Sequence, residues 1–214
     1  MKTNYQIIME EIINNLKDKP KLLLHACCGV CSSSVLEKLI PYFDITVLFY
    51  NPNIYPEEEF KKRLTTLKKL IKQMNIKIKI EIPPYHEEEF YEIAKGLENE
   101  KEGGERCTKC FYLRLKKTAE IAKENGFDYF CTTLSVSPYK DSQKLNKIGK
   151  ILEKKYNINY LYSDFKKKEG YKRSNELSKK YELYRQNYCG CKYSLNEIKK
   201  EAWGKEVWKK KKLS

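Results

Sequence analysis

The residues most able to do chemistry in this chain are its eight cysteines, and they come in groups. Cys27, Cys28 and Cys31 stand in HACCGVC, Cys107 and Cys110 in CTKC, Cys131 alone in YFCTT, and Cys189 and Cys191 in YCGCKY. In a reducing compartment such groups are metal ligands or redox centres rather than structural disulfides. Four thiolates suit tetrahedral zinc or an iron–sulfur cluster. Cys-Cys with a distant Cys-x-x-Cys follows neither a standard zinc ribbon nor a standard ferredoxin run. The spacing therefore indicates a metal site without choosing the metal. A disulfide between Cys189 and Cys191 would close a very small ring through Gly190 and be strained. Strained bridges are easily reduced and tend to be catalytic or regulatory. The pair suits a dithiol that cycles; the rival reading is that one or both sulfurs complete a metal site. Cys131 reads as a small buried hydrophobe.

The elements that must position these thiols alternate between strand and helix. KLLLHA (21–26) is a predicted buried strand, and a helix is expected over 32–40, with serines at its start and Pro41 after it. DITVLFYN (44–51) is a second strand. A helix opened by Pro56 follows, with Phe60, Leu64, Leu67, Ile71 and Met74 facing inward and Lys61, Lys62, Lys68, Lys69 and Lys72 outward. IKIKIEI (76–82) alternates as a third strand, 86–99 is a shorter helix, 100–106 a polar loop, and 107–125 a helix capped by Gly126. DYFCTTL (128–134), a helix over 142–156 and INYLY (158–162) complete five strands. An amphipathic helix over 4–17, with Tyr5, Ile8, Ile12 and Leu16 near one face, precedes them. After the last strand the chain reads as helix, Cys-Gly-Cys turn and helix.

This alternation implies an α/β fold, three layers (α/β/α) around a mostly parallel sheet. Ligands of such sheets bind beyond the carboxyl ends of the strands. The loop holding Cys27, Cys28 and Cys31 and the loop LSVSPYKD (134–141) then share one edge. Both HACCGVC and CTKC open helices, where thiolate is favoured. The 214 residues suit a single domain, with a core over 21–165, a C-terminal helical segment over 170–204 that carries the Cys-Gly-Cys, and a basic tail over 205–214.

The formal net charge is +14, which points to a polyanionic partner such as nucleic acid. The plain alternative is a Lys-rich, soluble surface. No apolar run is long enough to span a bilayer, and the N-terminus lacks a signal-peptide pattern, so a cytoplasmic protein is expected. Neither G-x-x-x-x-G-K-[ST] nor a post-strand G-x-G-x-x-G is present, so electrons are expected to arrive through thiols or metal rather than a bound nicotinamide. SVSPYKDS and GYKRSNELSKKYELYRQNY mix hydroxyls, tyrosines, Arg173 and Arg185, a composition that holds phosphates and stacks on bases. Tyr139 and Asp141 are candidates for proton delivery, Asp141 competing with a role as helix cap. His25, at a strand end, is placed to help, or is a core histidine bonded to backbone.

Taken together, LLLHACCGVCSSSVLEKL, ERCTKCFYLRL, FCTTLSVSPYKD and LYRQNYCGCKYS resemble the QueH-type epoxyqueuosine reductases, over residues 21 to 194. The resemblance implies a fold similar to PP-loop/HUP-type nucleotide-binding domains, with the cysteine loop in place of the glycine-rich phosphate loop. It implies reductive removal of the epoxide oxygen from epoxyqueuosine at the wobble position of tRNA, the last step of queuosine biosynthesis. It implies a 4Fe-4S cluster, no cobalamin, and, by position, Cys27, Cys28, Cys107 and Cys110 as cluster ligands, with Cys189 and Cys191 as the redox-active pair. Some members have aspartate where Cys31 stands, and Cys31 is a candidate ligand of a second metal, an additional mononuclear iron. A small electron-donor protein or a thiol reductant is the implied partner besides tRNA; no membrane is. The residues alone also admit a zinc-stapled RNA-binding module, a thiol-based tRNA sulfurtransferase or a general thiol reductase.

Overall fold

The computed structural model describes residues 2–200; Met1, the end of the 170–204 segment and the whole of the lysine-rich tail expected over 205–214 lie outside the described residues. Five parallel strands form one sheet: β1 (Lys21–His25), β2 (Asp44–Leu48), β3 (Lys79–Glu81), β4 (Tyr129–Thr132) and β5 (Asn159–Tyr160). The helices are α1 (Tyr5–Asn14), α2 (Gly29–Leu39), α3 (Glu57–Gln73), α4 (Glu88–Ala94), α5 (Glu105–Glu124), α6 (Ser142–Tyr156) and α7 (Gly170–Lys180). The chain is helical again from 192 to 200.

The strand order is β3-β2-β1-β4-β5. From β1 the chain winds outward through α2 to β2 and α3 to β3, then returns across the sheet to lay β4 on the other side of β1. Right-handed crossovers put helices on opposite faces for the two directions of winding. Accordingly α2 packs on α3 and α7, and α5 packs on α4 and α6. The central strand has both faces covered, which is why Leu22, Leu23 and Leu24 run on without alternation and are all fully buried. The reversal of winding opens a crevice beyond the carboxyl ends of β1 and β4. Into it run the loop after β1, with Cys27 and Cys28, and the segment after β4, a single 3-10 turn at Thr133–Val136 followed by Tyr139 and Lys140.

Several elements differ from their sequence-based extent. The edge strand β3 is three residues rather than seven, paired only along β2. The first helix fully buries Gln6, Met9 and Ile13, and of the expected stripe Ile12 and Leu16 pack half-buried against the core. In α3, Leu64 and Met74 are half-buried, and the buried stripe includes Leu70 and the polar Glu59 and Arg63. The largest shift is at α2, which begins at Gly29 and not at Ser32. Its N-cap is Cys28, whose sulfur accepts a hydrogen bond from the Cys31 N–H at 3.3 Å. A thiol here does the work that an N-cap hydroxyl or carboxylate ordinarily does. The serines, expected to cap the helix, sit in its body; Ser32 Oγ donates back to the Cys28 carbonyl at 2.7 Å.

Gly29 lets α2 approach α3. A Cβ there would stand 2.9 Å from both the Thr66 methyl and the Thr66 carbonyl oxygen. Gly29→Ala is expected to destabilise the fold by about 1–3 kcal/mol through overpacking, measured by chemical denaturation. Adding Thr66→Ser, which removes the methyl and leaves the carbonyl, is expected to recover only part of the loss.

Candidate active site at the switch point of the sheet

The crevice is a cavity of about 580 Å³ whose lining includes Cys27, Cys31, Cys189, Arg63, Arg114 and Lys140. Cys27, Cys28 and Cys31 meet at the start of α2 with their sulfurs all within 4.8 Å of one another. Hydrogen bonds from the Cys27 and Cys31 thiols hold the Cys28 thiol well below its ordinary range; burial opposes this, while the Arg63 charge and the Cys31 N–H add to it. By the same bonds Cys27 is raised and Cys31 raised further. Of the three thiols, Cys28 is thus the one whose ionisation is favoured. Gln186 Nε2, from the segment before the Cys-Gly-Cys, donates to the same sulfur at 3.2 Å.

Cys107 and Cys110 occupy the first two turns of α5 and lie outside this close group. Cys107 Sγ accepts from the Gly103 N–H at 3.2 Å. Cys110 is buried against Phe90, Ala94 and Cys191, and burial pushes its thiol up to about 11. What joins the groups is Arg114, one turn beyond Cys110 and 2% exposed. Burial works against its charge, but Cys110, Cys27, Cys189 and Cys107 together raise its pKa. Its Nε donates to the Cys110 carbonyl at 3.4 Å, and its Nη2 has no hydrogen-bond partner among the described residues. A buried guanidinium among thiols of the loop after β1, the start of α5 and the Cys-Gly-Cys turn fits an anionic thiolate-ligated group.

The Cys-Gly-Cys turn is fixed by Arg63, a buried cation on α3. Arg63 pairs with Glu59 at 2.6 Å and donates to the carbonyls of Cys189 at 3.0 Å and Tyr188 at 3.2 Å. The Gly190 carbonyl accepts from the Tyr55 N–H at 2.8 Å. The turn sends its two sulfurs different ways. Cys189 faces the cavity, with Lys140 Nζ at 3.1 Å. Cys191 is buried, and burial pushes its thiol up to about 12.

The other candidate residues separate. Tyr139 is 78% exposed at the cavity rim. Asp141 is the N-cap of α6, its carboxylate accepting from the N–H groups of Gln143 and Lys144, and it is outside the cavity lining. Arg173 is engaged by Glu37 through two bonds of 2.8 Å and by Glu176, so it ties α7 to α2. Arg185 lines the cavity and donates to Asn175. His25 is a core histidine: Nε2–H donates to the Tyr50 carbonyl at 3.1 Å, leaving Nδ1 to accept from Thr132 Oγ1 at 2.9 Å. Burial lowers its pKa to about 4, so it is neutral and has no proton to deliver. Cys131 is fully buried in β4, its S–H directed at the Leu161 carbonyl.

Arg63, Arg114, Lys140, Glu102, Gln186 and Ser194 were not singled out by sequence. The two arginines had a signal: each falls on the buried stripe of its helix, Arg63 between Phe60 and Leu67, Arg114 beside Phe111 and Leu115.

A parallel sheet of the PP-loop/HUP-type fold, with thiols and buried cations gathered at its switch point, is suited to redox or metal-dependent chemistry. Residues 22–197 match the family model described as epoxyqueuosine reductase QueH. The chain is 40% identical over 215 residues to the epoxyqueuosine reductase QueH of Streptococcus pyogenes serotype M1, covering 94% of this chain and 84% of that one. It is 41% identical over 202 residues to that of Staphylococcus epidermidis, covering 90% and 85%. In fold it is similar to the U34-tRNA thiolase NcsA from Methanococcus maripaludis, solved with its [4Fe-4S] cluster: TM-score 0.50, 15% identity, 89% of this chain and 67% of that one. The chain belongs to the epoxyqueuosine reductase QueH family and is an oxidoreductase.

Because Arg63 is buried with Glu59, Arg63→Met is expected to cost about 3–5 kcal/mol by stranding the carboxylate and two carbonyls. Urea denaturation measures this, and adding Glu59→Gln is expected to restore part of it.

Proposed function

We propose that this chain reduces epoxyqueuosine in tRNA to queuosine, using a 4Fe-4S cluster held by Cys27, Cys28, Cys107 and Cys110 and a redox-active pair formed by Cys189 and Cys191. The observation that carries the reading is that Cys27 of the loop after β1 and Cys189 of the Cys-Gly-Cys turn line one cavity with Arg114, while Cys110 of α5 packs with Cys191. Four thiolates from the loop after β1 and the start of α5 would supply the ligand set of such a cluster. Cys31, the third thiol of the α2 group, is then free for an additional mononuclear iron. When bound, the cluster supplies one-electron transfer and Lewis acidity.

The chain's own residues do the rest. Opening the epoxide to the alkene takes two electrons and two protons and releases water. Oxidation of the Cys189–Cys191 dithiol to its disulfide supplies both, and a small electron-donor protein or thiol reductant restores it. Arg114 and Arg63 hold positive charge beside the reacting groups. Tyr139 and Arg185 stand at the rim where a tRNA base and phosphate would enter, and the basic surface supplies salt-dependent attraction to the anticodon arm. Asp141, committed to its cap, contributes by fixing the segment that carries Tyr139 and Lys140. No helix of the described residues is long and apolar enough to cross a membrane. Work in the cytoplasm, where tRNA is found, goes with this reading, as does one α/β domain whose C-terminal segment brings the Cys-Gly-Cys over the crevice.

Protein purified without oxygen is expected to be brown, with iron and acid-labile sulfide near a four-to-four ratio plus a small excess of iron, and to convert epoxyqueuosine tRNA. Zinc without sulfide would overturn the cluster. Cys189→Ser is expected to lose turnover while keeping the cluster spectrum; full turnover would remove the dithiol from the mechanism. Affinity for tRNA is expected to fall at least about tenfold between roughly 50 and 200 mM salt, read by filter binding.

A further inference from the structure

A closed ring of hydrogen bonds surrounds Cys189. Lys140 Nζ donates to Cys189 Sγ at 3.1 Å and to Glu102 Oε1 at 2.7 Å. Glu102 Oε2 accepts from Ser194 Oγ at 3.2 Å, and Ser194 Oγ accepts from the Cys189 N–H at 3.2 Å. The ring begins at the Cys189 sulfur and returns to its own backbone. Lys140 is 9% exposed, a costly place for an ammonium unless anions compensate it. Burial weakens its charge, and Cys189 and Glu102 more than restore it. One carboxylate would satisfy an ordinary buried lysine; here the second partner is a sulfur.

The same Ser194 reaches the other thiol, its N–H donating to Cys191 Sγ at 3.4 Å. Cys191 is 6% exposed, packed with Phe90, Ala94 and Cys110, and absent from the cavity lining. Of the pair, Cys189 is the one that lines the cavity.

Building on the proposed redox role of this cysteine pair, we propose that Lys140, braced by Glu102 and Ser194, is the charge partner of Cys189 and makes Cys189 the thiol at which an external thiol reductant recharges the pair, with Cys191 the resolving thiol. An external thiolate attacks Cys189 Sγ of the disulfide. The Cys189–Cys191 bond breaks, a mixed disulfide forms on Cys189, and Cys191 leaves as thiolate and takes a proton. A second external thiolate attacks the external sulfur of the mixed disulfide. Cys189 then leaves as a thiolate beside the Lys140 ammonium. Two external thiols become one disulfide; two electrons and one proton pass to the pair, the proton to Cys191, and the second proton is released to solvent while Cys189 stays a thiolate.

The test uses cluster-loaded full-length protein, reduced and kept anaerobic, with glutathione disulfide as probe. The mixed disulfide is mapped by mass spectrometry. Cys191→Ser is expected to take up glutathione on Cys189, and Cys189→Ser none on Cys191. In the Cys191→Ser background, Lys140→Met is expected to slow uptake about tenfold or more, and Lys140→Arg to keep it within about threefold. Should Lys140→Met fail to fold, Glu102→Gln, which keeps the packing and loosens the ammonium, is expected to slow it by a smaller factor of about threefold. Uptake on Cys191, or an unchanged rate in the folded variants, would overturn the assignment. The two readings fail differently. Epoxide reduction that survives Cys189→Ser removes the redox pair itself. An inactive Cys189→Ser with an unaffected Lys140→Met removes Lys140 alone.

Discussion

A cation buried without a carboxylate needs negative charge from somewhere else, and much of this site follows from that need at Arg114. The charges facing its guanidinium belong to thiols of the loop after β1, of the first turns of α5 and of the Cys-Gly-Cys turn. Isolated neutral thiols would compensate it poorly, so the arrangement costs the fold free energy unless the thiols ionise or bind something that ionises them. Arg63 repeats the pattern on the opposite wall, where a carboxylate shares the charge with the Cys28 group. Two buried arginines on two faces of the sheet thus offset part of the burial cost of thiolate in one crevice. A thiolate-ligated cluster and a cycling dithiol both require thiolate.

How much of this could be read from sequence depends on which interactions are local. The helix over 142–156 is found at its expected bounds because each determinant lies within it or next to it: Asp141 at the N-cap, Leu145, Ile148 and Leu152 on one stripe, and Asn157 in the left-handed conformation that ends it. The α2 start was misplaced because its cap is a thiol, outside the usual set of capping residues. The third strand was overextended because alternation in IKIKIEI reports a half-buried face, not pairing. As the edge strand it bonds to β2 alone, and only over three residues.

The site divides in the same way. The cysteines announce themselves by type and spacing, and the parallel sheet tells which loops share an edge. The partners that give each thiol its character come from far along the chain. Lys140 reaches Cys189 across 49 residues and Gln186 reaches Cys28 across 158. No spacing rule connects such pairs. In SPYKD the sequence draws attention to a tyrosine and an acid, and the residue between them is the one that touches a thiol. Asp141 and His25 had the right chemistry for proton transfer but are used up by local bonds, one as a helix cap and one between two strands' ends.

The single glycine between Cys189 and Cys191 has two independent reasons to be there. Its φ is +129°, a conformation that side chains rarely adopt, and a Cβ would stand 2.9 Å from Arg63 Nη1. Any larger residue would strain the turn and push away the guanidinium that holds the carbonyls of Tyr188 and Cys189. The turn also gives the thiols different surroundings, one in the cavity beside Lys140 and one in the core beside Cys110. Placing the thiols so close in sequence therefore does not make them equivalent. Arg63 and Gly190 set one thiol toward the cavity and the other toward Cys110 on α5. A short bridge between such unlike sulfurs would open readily, as the proposed redox role of the pair requires.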